Sequence, residues 1–264
     1  MYRTVVLKLG GSVLVDLAAY RDCARLLRDR LSAERDTRFV IIVSARFGET
    51  DALLATAKAI VGEPDAETLD LLWSTGEIQS AAILALCLHA VGVRAAALDV
   101  HQTGIRRLDA LVVDPAPLRA ALAHHDVVIV PGFLAVSRGN AVVSLGRGGS
   151  DLTAVAVAAA LDADRCELMK DVPGYFTADP NRVADAEHLP AIDYERALRM
   201  AHDGCDLVQA AALDAAREAG LTLVIRAAQD SRYTTVECSA TARSVTACSA
   251  TACSATASAV ATID

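Results

Sequence analysis

Two glycine-rich turns carry the residues of this 264-residue chain that are best suited to chemistry. In the first, Lys8 ends an apolar run and is followed by Leu-Gly-Gly-Ser at residues 9–12. The second reads Gly-Arg-Gly-Gly-Ser-Asp at residues 146–151 and leads into an alanine-rich segment. Glycine lets backbone amides approach a ligand closely, and ammonium and guanidinium groups neutralise phosphates or carboxylates. The two turns therefore predict anion binding.

Each turn also has a purely structural interpretation. Lys8 could be an ordinary lysine at the edge of a strand, and Ser150 could simply cap the helix that follows it. Neither G-x-x-x-x-G-K-[ST] nor G-x-G-x-x-G, the familiar phosphate-binding patterns, occurs in the sequence. The presence of two such turns in one chain favours binding.

Six segments, in order, resemble the amino acid kinase family, and most closely the catalytic domain of aspartokinases. They are Lys-Leu-Gly-Gly-Ser at 8–12, Val-Ser-Ala at 43–45, Ser-Thr-Gly-Glu at 74–77, Pro-Gly-Phe at 131–133, Gly-Arg-Gly-Gly-Ser-Asp at 146–151, and Asp-Val-Pro-Gly-Tyr-Phe-Thr-Ala-Asp-Pro at 171–180. The resemblance spans about residues 3–228. Lys-x-Gly-Gly-Ser is shared across the wider family, whereas Ser-x-Gly-Glu and the 146–151 string point to aspartokinases.

The elements that must position these residues alternate along the chain. Strands are predicted at about 4–8, 39–44, 93–98, 127–130, 141–144, 166–169 and 221–226. Helices are predicted near 17–34, 50–61, 66–91, 115–123, 150–162, 193–202 and 206–219. This alternation predicts an α/β fold with a mainly parallel sheet between helical layers, and the resemblance implies the three-layer αβα sandwich of amino acid kinases. Ligands of such sheets gather beyond the carboxyl ends of strands, where Lys8, Ser44 and Asp171 would lie.

The domain organisation follows from length, composition and the resemblance. A hydrophobic content of 53% suits one substantial core. We expect a kinase domain over residues 1–230, with an acceptor-binding lobe over about 1–145 and a nucleotide-binding lobe over about 146–230. Residues 231–264 contain a Cys-Ser-Ala-Thr-Ala repeat whose small side chains cannot offset the entropy of ordering it, so disorder or weak docking is expected. The sequence ends before the paired regulatory domains typical of aspartokinases, so feedback through such domains is not expected.

Composition and charge argue against several partners. The net charge of −8 and the lack of a basic patch argue against nucleic acid. No window reaches the roughly 18 uninterrupted apolar residues of a membrane span, and the N-terminus does not read as a signal peptide. We therefore expect no nucleic-acid or membrane partner and a cytoplasmic location. Four of the seven cysteines lie in apolar segments and are interpreted as small buried hydrophobes, namely Cys23, Cys87, Cys166 and Cys205.

The resemblance assigns catalytic and phosphate-binding roles to the two turns. Lys8 would bind the transferring phosphoryl group, and Asp151 would hold Lys8 in position or organise the metal region. Phosphates would also meet the turns at Gly10, Gly11, Ser12, Gly148 and Gly149.

The acceptor site implied by the resemblance suits a zwitterion. Arg147 would bind the α-carboxylate and Glu77 the ammonium group, with short hydrogen bonds from Ser44, Thr50 and Ser150. Two of these residues have alternatives that stay open at this point. Glu77 could be a carboxylate favoured at a helix N-terminus, and Thr50 could cap the helix that begins at residue 51.

The nucleotide side both matches the family and departs from it. The implied nucleotide-binding residues are Lys170, Asp171, Gly174, Tyr175, Asp179 and Arg182. Aspartokinases commonly have Thr where this chain has Lys170, a basic residue where it has Asn181, and Lys where it has Asp206. The reversed charge at Asp206 would weaken phosphate binding unless Lys170 or Arg182 compensates. Lys170 resembles the choice of more distant relatives, including molybdenum storage proteins, although it could also be a solvent-facing lysine at a strand end.

Three functions remain in competition. The leading one is an ATP-dependent kinase, with Mg²⁺ accompanying ATP, that phosphorylates the side-chain carboxylate of aspartate or a close analogue, as in amino-acid biosynthesis. The second is a family kinase with another small acid as acceptor, and the third is a catalytically weak nucleotide-binding or storage protein. No dedicated metal site is predicted. The resemblance implies a homodimer, for which the apolar stretch at residues 83–91 is available unless it belongs to the core.

Overall fold

The structure, a computed structural model, describes residues 2–180, 182–228 and 230–239. Its strands are β1 (Arg3–Leu9), β2 (Thr37–Val43), β3 (Ala95–Ala97), β4 (Ile105–Arg107), β5 (Leu111–Val113), β6 (Val127–Pro131), β7 (Leu134–Ser137), β8 (Val142–Ser144), β9 (Arg165–Lys170), β10 (Ala191–Asp193), β11 (Leu223–Ala227) and β12 (Tyr233–Glu237). Its α-helices are α1 (Leu17–Ala33), α2 (Glu49–Ile60), α3 (Ala66–Ala90), α4 (Ala116–His124), α5 (Gly149–Leu161), α6 (Tyr194–His202) and α7 (Ala210–Glu218).

Most of the strands form one sheet in the order β10-β12-β11-β9-β1-β2-β6-β3. The pairs from β11 to β3 are parallel, and β12 is antiparallel to β11. The central strands are continuous apolar runs because both faces are covered by helices, so neither face selects polar residues. Val5, Phe39 and Ile129, for example, are fully buried.

Helices cover both faces of this sheet. On one face, α1 and α3 pack against Leu7, Phe39 and Ile41. On the other, α4, α5, α6 and α7 pack against Val6, Val40 and Leu168. Each fully buried aliphatic side chain of this kind contributes roughly 1.5–3 kcal/mol. The expected three-layer αβα architecture with a mainly parallel sheet is confirmed.

Helix α3 is the longest element of the first layer. Asp65 caps it by accepting a 2.9 Å hydrogen bond from the Thr68 amide, and the Ser80 and Tyr20 hydroxyls join α3 to α1 at 2.7 Å. By length and composition α3 could cross a bilayer, but half of its most apolar window is buried inside the protein. Burial of this extent is typical of a core helix. The stretch at 83–91 belongs mainly to the core, although Leu86 is 67% exposed.

A second, smaller sheet was not predicted from the sequence. It runs β5-β4-β7-β8 beside the main sheet. The strand expected at 141–144 corresponds to β8 and belongs to this small sheet. The other three strands have only three or four residues, too few for alternation to distinguish them from loops.

Two boundaries differ from the prediction by more than two residues. Helix α7 begins at Ala210 and not at 206, because Gln209 has an extended backbone and ends the preceding loop. The main sheet extends beyond residue 230, since β12 pairs with both β11 and β10. The folded domain therefore includes part of the predicted tail, and the repeat from residue 240 onward lies outside the described residues.

The expected burial of the cysteines holds for three of the four. Cys23, Cys87 and Cys166 are buried, and burial raises the pKa of the Cys23 thiol to about 11. Cys205 is only half-buried because it lies in the loop after α6 rather than inside a helix.

Candidate functional site

The carboxyl ends of several central strands of the main sheet lie beside the N-terminus of α5. Lys8 is the penultimate residue of β1, Lys170 is the last residue of β9, and Ser44 directly follows β2. Asp151 lies in the first turn of α5. Because β1 and β9 are adjacent and parallel, their side chains on the α5 face come together there.

Asp151 is shared by two lysines. Its Oδ1 lies 3.0 Å from Lys8 Nζ, and its Oδ2 lies 2.7 Å from Lys170 Nζ. The side chains of Asp151, Lys8 and Lys170 are 5%, 10% and 14% exposed. Two ammonium groups and one carboxylate leave this buried triad with one excess positive charge. Buried charge without a counter-charge is costly, so the triad favours the binding of an anion.

The pKa values of the triad reflect burial and mutual attraction. Burial alone would raise the pKa of Asp151, but the ammonium groups of Lys8 and Lys170 outweigh it and hold that pKa below its usual range. Burial lowers the pKa of Lys170; Asp151 opposes this effect, and the positive charge of Lys8 adds to it. Asp151 is therefore ionised and keeps both cations at the strand ends.

The first glycine turn lies directly beside Lys8. A side-chain carbon on Gly10 would come within 3.1 Å of Lys8 Nζ, and one on Gly11 within 3.1 Å of the Ala45 carbonyl oxygen. Glycine is needed here because the ammonium group and the backbone after β2 occupy the space that a larger residue would fill. Ser12 is exposed next to this turn.

The second glycine turn forms the N-terminus of α5. Gly146 and Gly148 have φ of 77° and 74°, the left-handed region that favours glycine. Gly148 is the N-cap of α5, so Ser150 is not the cap. The Ser150 hydroxyl instead accepts a 3.0 Å hydrogen bond from the Ser44 hydroxyl. Arg147 is exposed on this turn.

Glu77 lies in the middle of α3 and not at a helix start, so the interpretation as an N-terminal helix carboxylate is wrong. The residue is 4% exposed, and its Oε2 has no hydrogen-bond partner among the described residues. Burial raises its pKa to about 8, although a hydrogen bond from the Ala45 amide and the charge of Lys8 oppose the shift. An unsatisfied buried carboxyl oxygen of this kind is suited to binding a cation or a donor group.

Thr50 is the second residue of α2, whose N-cap is Gly48. The interpretation of Thr50 as a cap is therefore wrong. Its carbonyl oxygen accepts a 3.3 Å hydrogen bond from Trp73 Nε1.

A separate cleft of about 660 Å³ lies between the segment after β9 and the loop after α6. Four of the six residues expected to bind nucleotide line it, and these are Asp171, Gly174, Tyr175 and Asp179. Lys170 and Arg182 are not among its lining residues, whereas Asp206 is. Lys170 instead contacts Asp151, so the solvent-facing interpretation of Lys170 is also wrong.

The sequence model of the amino acid kinase family matches residues 3–227 of this chain. The chain belongs to the amino acid kinase family. The fold agrees with this membership, because the crystal structure of aspartate kinase from Synechocystis superposes on the chain with a TM-score of 0.80 at 33% identity. That superposition covers 89% of this chain and 40% of the other.

Members of the amino acid kinase family named aspartokinase are similar to this chain over most of its length. The aspartokinase of Mycolicibacterium smegmatis is 37% identical over 239 residues, which are 88% of this chain and 56% of the relative. That of Thermus thermophilus is 38% identical over 228 residues, which are 84% of this chain and 56% of the relative. The chain thus spans about half the length of the curated relatives it matches.

Some residues that shape this amino acid kinase site were not found from the sequence. Phe133 has a φ of 69°, a left-handed conformation that costs a non-glycine residue about 1–3 kcal/mol. Its amide donates to Thr153 Oγ1 at 3.1 Å, and that hydroxyl donates to the Gly149 carbonyl at 2.8 Å. Thr234 likewise accepts from the Tyr175 amide at 2.8 Å. The Pro-Gly-Phe string was a signal for the first residue, whereas both threonines act through tertiary contacts that leave no local pattern.

Proposed function

We propose that this chain is an ATP-dependent phosphotransferase that phosphorylates the side-chain carboxylate of aspartate or a close analogue. The observation that carries the proposal is the buried Lys8–Asp151–Lys170 triad, which has an excess positive charge at the N-terminus of α5. An anionic phosphoryl group fits both the charge and the helix terminus. The aspartokinase names of relatives at 37% and 38% identity support the same reaction.

The chemistry needs alignment and charge neutralisation more than proton transfer. A carboxylate acceptor is already ionised at neutral pH, so it needs no general base. One carboxylate oxygen bonds to the γ-phosphorus of ATP while the bond from that phosphorus to the β–γ bridging oxygen breaks, giving an acyl phosphate and ADP. Lys8 and Lys170 would neutralise the migrating group, and Asp151 would hold both lysines. Backbone amides at Gly10, Gly11, Ser12 and Gly148 would meet the phosphate oxygens, whereas the Gly149 amide donates to the Gly146 carbonyl oxygen at 2.9 Å.

The acceptor would bind between α3 and the second glycine turn. Glu77 would bind its ammonium group, because the free Oε2 faces no partner among the described residues. The exposed guanidinium of Arg147 would bind the α-carboxylate, because its planar array of N–H donors matches the two carboxylate oxygens. Ser44, Thr50 and Ser150 would add short contacts. These residues belong to the proposed acceptor lobe, about 1–145, or to the turn that follows it.

The nucleoside would occupy the 660 Å³ cleft of the proposed nucleotide lobe, about 146 onward, with Asp171, Gly174, Tyr175 and Asp179 around it. Phosphates would then extend from this cleft toward Lys170 and Lys8. Arg182, which follows the Asp-Pro turn, would approach from the cleft rim.

Mg²⁺ would arrive with ATP. Among the described residues no group of three or more His, Cys, Asp or Glu side chains could hold a metal by itself. Mg²⁺ normally binds through substrate phosphates plus one or two carboxylates, and Asp171 and Asp206 both line the cleft. The ion would supply charge neutralisation at the phosphates.

A hydroxamate assay tests this function. Purified protein is incubated with MgATP, hydroxylamine and one acid at a time, since hydroxylamine traps an acyl phosphate. We expect product with L-aspartate and none without ATP. Turnover with another small acid only would show that the acceptor is misassigned.

A second candidate function is a catalytically weak nucleotide-binding protein, and Asp206 is the observation that favours it. This carboxylate lines the cleft in which the nucleotide would bind, and its negative charge would repel nearby phosphates. Tight ATP binding by calorimetry, combined with no turnover on any acid tested, would support this candidate.

We further propose a homodimer in the cytoplasm, where ATP and free amino acids are available. Leu71, Ile78 and Leu86 are 59%, 36% and 67% exposed along one side of α3, and a second copy would bury them. Sedimentation should give twice the chain mass, and Leu86→Glu should shift the protein toward the monomer.

A further inference from the structure

One face of α3 contacts each of the segments that would form the acceptor site. Asp70, Trp73 and Glu77 are spaced by three and four residues, so they lie on one side of the helix. Glu77 accepts a hydrogen bond from the amide of Ala45, the second residue after β2. The other two residues have received no role in the proposed function.

Asp70 holds the strand that leads into the second glycine turn. Its Oδ2 accepts a 2.9 Å hydrogen bond from the Ser144 amide at the end of β8. Arg147 follows three residues later. A carboxylate on a backbone amide is a charge-assisted bond, stronger than one between neutral groups.

Trp73 bridges two further segments. Its Nε1 donates to the Thr50 carbonyl oxygen of α2 at 3.3 Å. Its ring meets the Phe133 ring edge to face, with centroids 5.9 Å apart and planes at 66°. Phe133 in turn packs against Gly149 at the start of α5, because a side-chain carbon on that glycine would come within 3.1 Å of the Phe133 ring.

We propose that Asp70 and Trp73 are positioning residues for the acceptor. They fix the Arg147 turn, through Ser144, and α2, through Thr50, relative to Glu77 on the same helix. The amino acid nature of the acceptor rests on the proposed function, but the positioning itself does not. Neither residue lines the nucleotide cleft, so their loss should affect the acceptor and not ATP.

Asp70 is tested with a pair of variants. Asp70→Ala removes the acceptor of the Ser144 amide, whereas Asp70→Asn keeps a side-chain oxygen that can accept it. We expect Asp70→Ala to raise the KM for L-aspartate about tenfold, the effect of roughly 1.4 kcal/mol, with the KM for ATP changed less than twofold. Asp70→Asn should recover most of the loss. Asp22→Ala is the matched control, because Asp22 is a helical aspartate whose partner on the surface of α1 is exposed Arg25.

Hydrogen exchange of the ligand-free protein separates this proposal from the kinase assignment. Asp70→Ala should speed amide exchange in the peptide covering residues 144–150 and leave the peptide covering 200–207 unchanged. If wild-type protein phosphorylates no acid but this exchange difference appears, the proposed function fails and the positioning stands. Unchanged exchange at 144–150, or equal rises in both KM values, would overturn the positioning by Asp70.

Trp73 provides its own signal because it is the single tryptophan of the chain. Its fluorescence should change when L-aspartate is added and stay nearly constant when ADP alone is added. Trp73→Phe keeps a ring against Phe133 but loses the bond to Thr50, so its KM for L-aspartate should rise less than that of Trp73→Leu, which loses both. This role would be ruled out if Trp73 fluorescence stayed constant on addition of an acceptor that the enzyme phosphorylates, and if both variants kept the wild-type KM.

Discussion

Lys8 and Lys170 share the carboxylate of Asp151, yet they lie on different strands and contact different oxygens of that carboxylate. Lys8 lies next to the first glycine turn, and Lys170 directly precedes the segment that lines the nucleotide cleft. In the proposed function, Lys8 would therefore meet the migrating phosphoryl group, and Lys170 the charge that forms on the nucleotide side. Their shared partner Asp151 ties the two positions together.

Lys8→Ala is expected to lower kcat by about 10²–10³, the usual cost of removing one group that stabilises the charge of a transition state. The loss should appear in kcat with little change in the KM for L-aspartate, as determined in a coupled ADP-release assay. Lys58→Ala is the matched control, since Lys58 is an exposed lysine in the last turn of α2. A Lys8→Ala enzyme with wild-type kcat would remove Lys8 from the mechanism.

If Glu77 binds the ammonium group of the acceptor, as proposed, acceptor binding should depend on pH. With a pKa of about 8 in the ligand-free protein, Glu77 is mostly protonated at pH 7, but an ammonium group needs it ionised. The KM for L-aspartate should therefore fall as pH rises from 6.5 to 8, by up to about tenfold per unit, and level off above. Steady-state kinetics across this range measures the slope. Glu77→Gln should bind more weakly and show no slope; a slope that persists in this variant would assign it to another group.

The same shift affects stability with a defined sign. Below the ordinary pKa of 4.5 the residue is protonated in both the folded and the unfolded chain, so it contributes no difference. Between 4.5 and about 8 the unfolded chain ionises while the folded one keeps its proton. The free energy of unfolding thus decreases with rising pH through this window, and an amino acid ligand should reverse part of that decrease.

At the scale of elements, two features require glycine in the second glycine turn: the left-handed backbone conformation and a close contact with a neighbouring side chain. Gly146 and Gly148 both have positive φ, but a side-chain carbon would meet open space at Gly146 and would overlap Gln209 at Gly148. The turn between β8 and α5 therefore packs against Gln209, the residue that directly precedes α7.

Gly146→Ala should therefore cost only the left-handed conformation, about 1–2 kcal/mol in the free energy of unfolding. Gly148→Ala should cost about 1–3 kcal/mol more, because it adds overpacking against Gln209. Urea titration of both variants measures the difference, and each serves as the control for the other. Equal losses would mean that the contact with Gln209 does not constrain the turn.

The elements also show what sequence patterns can predict. The long helices follow from apolar periodicity, and the strands β1, β2 and β9, which carry or lead to Lys8, Ser44 and Lys170, follow from continuous apolar runs, because burial selects those residues directly. The small sheet was not predicted because its strands are short. Strand β12 was not predicted because it follows the last segment of the family resemblance. Asp151 could be placed at a helix N-terminus from sequence, but its sharing by two lysines depends on strand register and helix packing, which local patterns do not encode.

At the scale of the whole molecule, β12 connects β10 and β11 to the cleft that is proposed to bind the nucleotide. Val236 and Thr234 are fully buried, and Thr234 Oγ1 binds the amide of Tyr175, a cleft residue. At Gly174, whose φ is 135°, a side-chain carbon would overlap Thr234, so the two segments are in close contact. The cleft therefore requires a strand that lies beyond the region matched by the family model.

Two truncations test where the functional domain ends. Removing residues 240–264 should change Tm by less than about 2 °C and keep the shift in Tm that MgATP produces, because the described strands and helices all end by Glu237. Removing residues 231–264 deletes β12, leaves β10 without its neighbour and uncovers Tyr175, so Tm should fall by about 10 °C or more and the nucleotide shift should disappear. Differential scanning calorimetry with and without MgATP measures both quantities. If the chain without residues 231–264 binds nucleotide as tightly as the chain without residues 240–264, β12 is not part of the nucleotide site. If removal of residues 240–264 alone lowers Tm by more than about 2 °C, the repeat contributes to the fold.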